Sequence, residues 1–327
     1  MTKTNVIWLA VAALAAVAVP WVIGNEFYIN MATQVLIYAL FALSINMMLG
    51  YGGMVSLGHA GYLGIAGYAC ILLTINGYDQ LTAAILAVLF STAVAGFFGV
   101  LSLRAPGLGF IMITLALGQI VWGIAYRAND LTGGDNGIRH PARPMPFGID
   151  IRDATGFYFF TLIVFVVALF FIWRFTRSPF GASLMGAKDQ PRRMTMLGHN
   201  VWLVRWLTFV LAGFWGSVAS ILYVYYNLFL SPHAISLQQS AEILLMAILG
   251  GASTLTGPIV GAAIITLIKN VVSTYVERWN TLLGAIFVIV IMFMPYGLVP
   301  GFRALWQRIR KGRKPVTSAK PAPETAP

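Results

Sequence analysis

The chain has 327 residues, of which 59% are hydrophobic and 9% charged, with a formal net charge of +11. A soluble domain carries about 25% charged residues, so this composition excludes one and points to an integral membrane protein. One cysteine, Cys70, rules out an intrachain disulfide and a zinc cluster built from cysteine, and no basic face interleaved with aromatics suggests nucleic acid.

Apolar runs near the roughly 20 residues that cross a bilayer recur along the chain, without the alternation of an outer-membrane barrel. The fold expected is all-α: a polytopic membrane bundle of about eight to ten helices. The first run, 6–23, reads as a retained span, with a cleaved signal peptide as the alternative. Further crossings are expected at about 29–49, 60–75, 81–103, 110–126, 156–174, 204–226, 239–250, 258–276 and 281–300. The stretch before 60 and the pair at 239–276 are candidates for broken or re-entrant segments. Together, 1–302 form one membrane domain, and 303–327 a basic, then proline-rich and disordered tail.

This arrangement puts Lys3, Arg104, Arg174, Arg177, Lys188, Arg192, Arg193, Arg205 and the tail cations on one side. Arg127, Arg139, Arg143, Arg152 and Arg278 lie opposite. Positive residues are retained in the cytoplasm, so both termini and the 175–203 connection are expected there, with 127–155 outside.

Between the second and third runs lies "GYGGMVSLGHAGYLGIAGYA", residues 50–69, with seven glycines. Each glycine costs a helix roughly 1 kcal/mol relative to alanine. Such a segment suits close helix packing, or interrupted backbone beside protein or a water-filled cavity. Asn46, Ser56, Gly58 and His59 sit at this junction. A histidine at this depth either satisfies a structural partner or faces a pathway. The 110–126 helix adds Thr114 and Gln119, which serve interhelical hydrogen bonds or the passage. Glu242 and Lys269 fall inside spans, where a charge costs on the order of 3 kcal/mol. They pair with each other, or Glu242 lines the pathway.

"GYGGMVSLGHAGYLGIAGYA", "ITLALGQI" followed by "LTGGDNGI", and "GGASTLTGPIVGA" resemble, in the same order, motifs of the branched-chain amino acid ABC transporter permeases, closest to the M-type subunit. The resemblance covers about residues 30–300. It implies a permease subunit of the bacterial inner membrane that works by alternating access. It also implies a homologous second permease, two ATP-binding-cassette ATPase subunits and a periplasmic substrate-binding protein. The urea and short-chain amide permeases share most of these motifs and give the runner-up solute class. In such importers a short helix of the cytoplasmic connection docks on the ATPase. Gly186, Lys188, Asp189 and Gly198 look like the small, basic, acidic and loop-glycine positions of that pattern. Pro191, Arg193, Met194 and Met196 depart from it, which puts the docking geometry in question. The sequence holds no GxxxxGK[ST], HExxH or GxSxG motif, so catalytic residues, metal ligands and a cofactor are not expected, and ATP hydrolysis falls to partners. From a different class, a self-sufficient ion-coupled carrier or channel would need acidic or histidine relays, for which only Glu242 and His59 qualify.

Overall fold

The computed structural model describes residues 25–141, 143, 153–272 and 297–302, with isolated positions 20, 281, 284, 285, 288 and 292. The 6–23 run, most of 281–300 and the 303–327 tail therefore lie outside the described residues.

Within them the chain is almost wholly helical. The main helices are α1 (Glu26–Asn46), α2 (Ala60–Ile75), α3 (Gln80–Ser102), α4 (Leu108–Arg127), α5 (Ala154–Thr176), α6 (Pro179–Asp189), α7 (Pro191–Met196), α8 (Val201–Asn227), α9 (Leu237–Gly250) and α10 (Gly257–Val272). Their starts are written locally. Asn25, Asp79, Ser178, Asn200 and Ser236 each accept a first-turn backbone N–H through the side chain, at α1, α3, α6, α8 and α9. Pro179 and Pro191 open α6 and α7, where a missing N–H costs nothing.

Among the described residues, five helices are long and apolar enough to span a bilayer: α1 with its final π-turn, α3, α4, α5 and α8. Three further expected crossings within them are α2, α9 and α10, which at 14 to 16 residues reach only about 21–24 Å. Short helices cannot expose their ends to hydrocarbon, and these three are packed inward. α2 is enclosed by α3, α4, α8 and α9, while α9 and α10 pair with each other and against α1. α1 is the axis of the bundle: 72% of its apolar window is buried, against 22% for α3 and 17% for α4. The exposed face of α3 and α4, with Phe90, Phe97, Met112, Ile120 and Ile124, suits acyl chains.

The loops sort to two ends, as the alternating crossings require. At one end a two-residue antiparallel ladder pairs Ile138–Arg139 with Phe229–Leu230, joining the 127–153 connection to the start of α9. At the other, α6 meets the π-turn that ends α1, and α7 packs against α6 and α8.

The glycine-rich stretch is broken and buried. α1 ends in a π-turn, Met47–Tyr51, a form common at functional sites. Residues 52–59 are irregular, and α2 starts at Ala60. Irregular backbone at such depth must have its amides satisfied by protein. Thr114 Oγ1 of α4 accepts from Leu57 N (3.4 Å), and Ser240 Oγ of α9 accepts from Ala60 N (3.1 Å). Of Gly58, Gly61, Gly64 and Gly67, which recur every three residues, only Gly58 brings backbones into very close contact. A Cβ there would collide with the Thr114 carbonyl, and one on Gly118 would come within 2.8 Å of Gly58 Cα. Gly64 and Gly67 instead make room for the side chains of Ile235 and Leu230.

Candidate functional site

A second interruption lies between α9 and α10, in the "GGASTLTG" loop, and it meets the first. Asn46, buried at the end of α1, donates through Nδ2 to the Thr254 carbonyl (2.9 Å) and accepts from Ser253 N at Oδ1 (3.2 Å). Ser253 holds φ +70°, the left-handed region that non-glycine residues seldom adopt, and its Oγ donates back to the Gly50 carbonyl (2.7 Å). Each break is thereby held by the other.

Lys188, near the end of α6, completes this junction. Its Nζ donates to the same Gly50 carbonyl at 2.8 Å and reaches Ser253 Oγ at 3.5 Å. Gly50 sits in the π-turn at the C-terminal end of α1, which carries the negative end of the helix dipole, so a cation is favoured there. The side chain crosses Gly53, whose φ is +67° and where a Cβ would come within 2.9 Å of Lys188 Cγ. Arg205 of α8 donates to the Ala187 carbonyl (3.0 Å), fastening the last turn of α6 to the bundle. Leu184 is buried below, whereas Met185, Met196 and Leu197 are exposed. The segment therefore has an inner face bonded to both helix breaks and an outer apolar face free of protein among the described residues.

The other connection residues are placed differently. Asp189 is exposed. Gly186 makes space for the Met194 side chain, and Gly198 takes φ +84° in the turn after α7, with open space where a side chain would stand.

The middle of the bundle is closed. His59 has no exposed surface, lies 2.7 Å through Nε2 from Ser44 Oγ, and packs against Phe41 and Tyr62. Ser44 also donates to the Phe41 carbonyl (2.7 Å). A hydroxyl has one proton, so the imidazole Nε2 donates to Ser44 and Nδ1 is left as a buried acceptor with no hydrogen-bond partner. Ser56, Gly58 and Thr114 surround a void of about 10 Å³, room for about one water. No solute passes them in this conformation.

Glu242 is buried, and both its oxygens accept from Lys269 Nζ at 3.0 Å. Lys269 also lies over the Tyr38 ring, 5.9 Å from its centroid, and the neighbouring Asn270 donates to Gln34 of α1 (2.9 Å). The two charges thus form a mutual pair.

Gln119 stands apart from the other expected pathway residues. It lines a cleft of about 450 Å³ at the end opposite α6, with Trp122, Tyr126, Asp135 and His233. Sequence reasoning missed those four, although "LTGGDNGI" marked the turn that carries Asp135. It also missed Ser253, inside a motif already singled out, and Arg205, counted only as a topological charge.

Comparison with known proteins agrees with this architecture. The profile described as "Branched-chain amino acid transport system / permease component" matches residues 27–294. The high-affinity branched-chain amino acid transport system permease protein LivM of Salmonella typhimurium is 26% identical over 319 residues, covering 89% of this chain and 75% of that protein. LivM of Escherichia coli is 26% identical, covering 91% and 76%. The autoinducer 2 import system permease protein LsrC of Salmonella paratyphi B is 29% identical over 215 residues, covering 63% and 60%.

Proposed function

Since the chain belongs to the branched-chain amino acid transport system permease component family, we propose that it is the membrane subunit of an ATP-driven importer that carries branched-chain or related amino acids inward. It pairs with a homologous second permease to enclose the pathway, a periplasmic binding protein delivers the solute, and two ATPase subunits dock on α6 and α7. The membrane part runs through about residue 302, the 303–327 tail is cytoplasmic, and both termini face the cytoplasm of an inner-membrane protein.

The observation that carries this reading is the bonding of Lys188 to Gly50 and Ser253. An importer powered by separate ATPases needs a mechanical link from a connection at one face to the elements that open and close. A helix break is such an element, because its backbone bonds exchange at small cost compared with those of a continuous helix. Alternating access then works through differential stability: ATP binding moves α6, α6 moves the paired breaks, and the slot at Ser56, Gly58 and Thr114 widens or shuts. Asn46, His59, Gln119 and Glu242 are assigned to the same pathway. A solute handed over by a binding protein needs polar groups to pass along rather than a tight site, and the hydroxyls, amides and imidazole here are of that kind.

The test is reconstitution. The chain should co-purify with its ATPase subunits, and ATP should drive uptake of leucine, isoleucine or valine into proteoliposomes holding the full complex. Uptake of urea or acetamide in place of these amino acids would favour the runner-up solute class. Uptake by the chain alone, driven by an ion gradient, would refute the ATP-driven reading.

A further inference from the structure

The cleft at the end opposite Lys188 combines an aromatic wall with polar groups. One wall is aromatic: Trp122 and Tyr126, one turn apart on α4, stack with ring centroids 5.1 Å apart and planes 15° from parallel. Leu237 of α9 extends this apolar side. Around it stand one carboxylate, Asp135 of the 3-10 turn Gly134–Asn136, and side chains that can donate, among them the Gln119 amide and the His233 ring, with Ser236 and Gln238 beside them. This open cleft has a volume of about 450 Å³, within the range of small-molecule sites.

Two stretches distant in sequence, 119–135 and 232–238, converge to build it, and their positions are fixed. Thr132 Oγ1 donates to the Ala125 carbonyl and holds the Asp135 turn to the end of α4. The ladder of Ile138–Arg139 with Phe229–Leu230 draws the His233 turn to the same place. Because the polar groups sit on short tied turns rather than on long free loops, their arrangement is preorganised.

From this geometry we infer that the cleft is an entry subsite for an amino acid zwitterion with an apolar side chain. Asp135 takes the ammonium, the Gln119 amide and a ring N–H of His233 take the carboxylate, and the side chain lies against Trp122 and Leu237. Aromatic rings add attraction for a cation above their faces, which draws the ammonium to the same corner. A neutral solute such as urea leaves the Asp135 charge unanswered, so the subsite discriminates against it. The inference rests on the importer reading and assigns its substrate class to a place in this chain.

Saturation-transfer NMR on the full-length chain in nanodiscs, with millimolar L-leucine as the probe, tests it. Leucine methyl protons should receive saturation, and Asp135→Asn and Gln119→Leu should each reduce the transfer at least threefold. Asp130→Asn, an exposed acid of the same connection outside the cleft, should leave it unchanged. Isoamylamine, which lacks the carboxylate, and isocaproate, which lacks the ammonium, should both give weaker transfer than leucine, and excess urea should not displace leucine. Absence of transfer in the wild type, or equal transfer in wild type and Asp135→Asn, overturns the subsite. ATP-driven leucine uptake by the complete complex is measured in parallel. If that uptake persists while the NMR effects are absent, the subsite is wrong and the importer reading stands. If the complex takes up no branched-chain amino acid, the importer reading fails first.

Discussion

Replacing Lys188 by methionine keeps the length and apolar stem of the side chain and deletes its donors. Two contacts are lost, at 2.8 Å to the Gly50 carbonyl and 3.5 Å to Ser253 Oγ. A hydrogen bond from a charged group contributes about 1.5–3 kcal/mol. Here the contribution falls just below that range, since the lysine is exposed and the Gly50 carbonyl keeps Ser253 as a donor. A loss of about 1–1.4 kcal/mol is a factor of roughly five to ten in an equilibrium. If Lys188 holds the breaks in one state of the cycle and releases them in the other, that factor falls on the coupling between ATP use and transport. The expected result in proteoliposomes is a five- to tenfold fall in leucine uptake, with ATP hydrolysis by the complex within twofold of wild type. Lys188→Arg, which retains a donor, should recover part of the loss. Unchanged uptake in Lys188→Met would refute the transmission argument. A parallel loss of hydrolysis and uptake would show that the residue serves docking rather than transmission.

The Glu242–Lys269 pair gives a stability test. Glu242→Gln leaves the lysine without its charge partner at a buried position, a change that costs about 3–5 kcal/mol for enclosed pairs; Lys269 is 26% exposed, so about 3 is expected, read as a lower thermal midpoint of the solubilised protein. The double change Glu242→Leu with Lys269→Met should recover most of it, and a double as unstable as the sum of the singles would contradict the pairing. At the first break, Gly58→Val drives a side chain into the Thr114 carbonyl. Overpacking of this kind costs about 1–3 kcal/mol or more, so folded yield should drop sharply, whereas Gly61→Ala, with no neighbour nearer than 3.7 Å, should be tolerated. Asn46→Leu deprives Ser253 N and the Thr254 carbonyl of partners at once. Each buried polar group left unpaired costs about 1–3 kcal/mol, and the 251–256 loop should gain protease sensitivity in the variant.

Much of the membrane architecture was legible because hydrocarbon imposes a one-dimensional rule on the chain. Seven glycines within 50–69 marked the break, and the short apolar runs at 239–250 and 258–276 became the inward-packed pair α9 and α10. Partnerships across the fold were not legible. Asn46 and Ser253 are 207 positions apart, and Lys188 and Gly50 are 138 apart; no periodicity records such contacts. Nor does the spacing of Gly58, Gly61, Gly64 and Gly67 record their surroundings: they meet a backbone, a loose neighbour and two side chains respectively. The outer cleft escaped because Asp135 and His233 lie on different loops, and only the ladder between 138–139 and 229–230 brings those loops together.

The two helix breaks are coupled for a physical reason that the separate motifs do not reveal. A π-turn and a left-handed serine both hold their carbonyls and amides away from ordinary helical partners, and each alone would leave polar groups unpaired inside the bundle. By bonding Asn46 to Ser253 and Thr254, and Ser253 to Gly50, each break supplies what the other lacks. Movement of one therefore exposes unsatisfied groups on the other unless both shift together. This makes the pair a cooperative unit, and Lys188 is bonded to both of its members. A small displacement of α6 can then bias two elements at once, which lets a connection at the membrane surface act on the closed slot around Gly58.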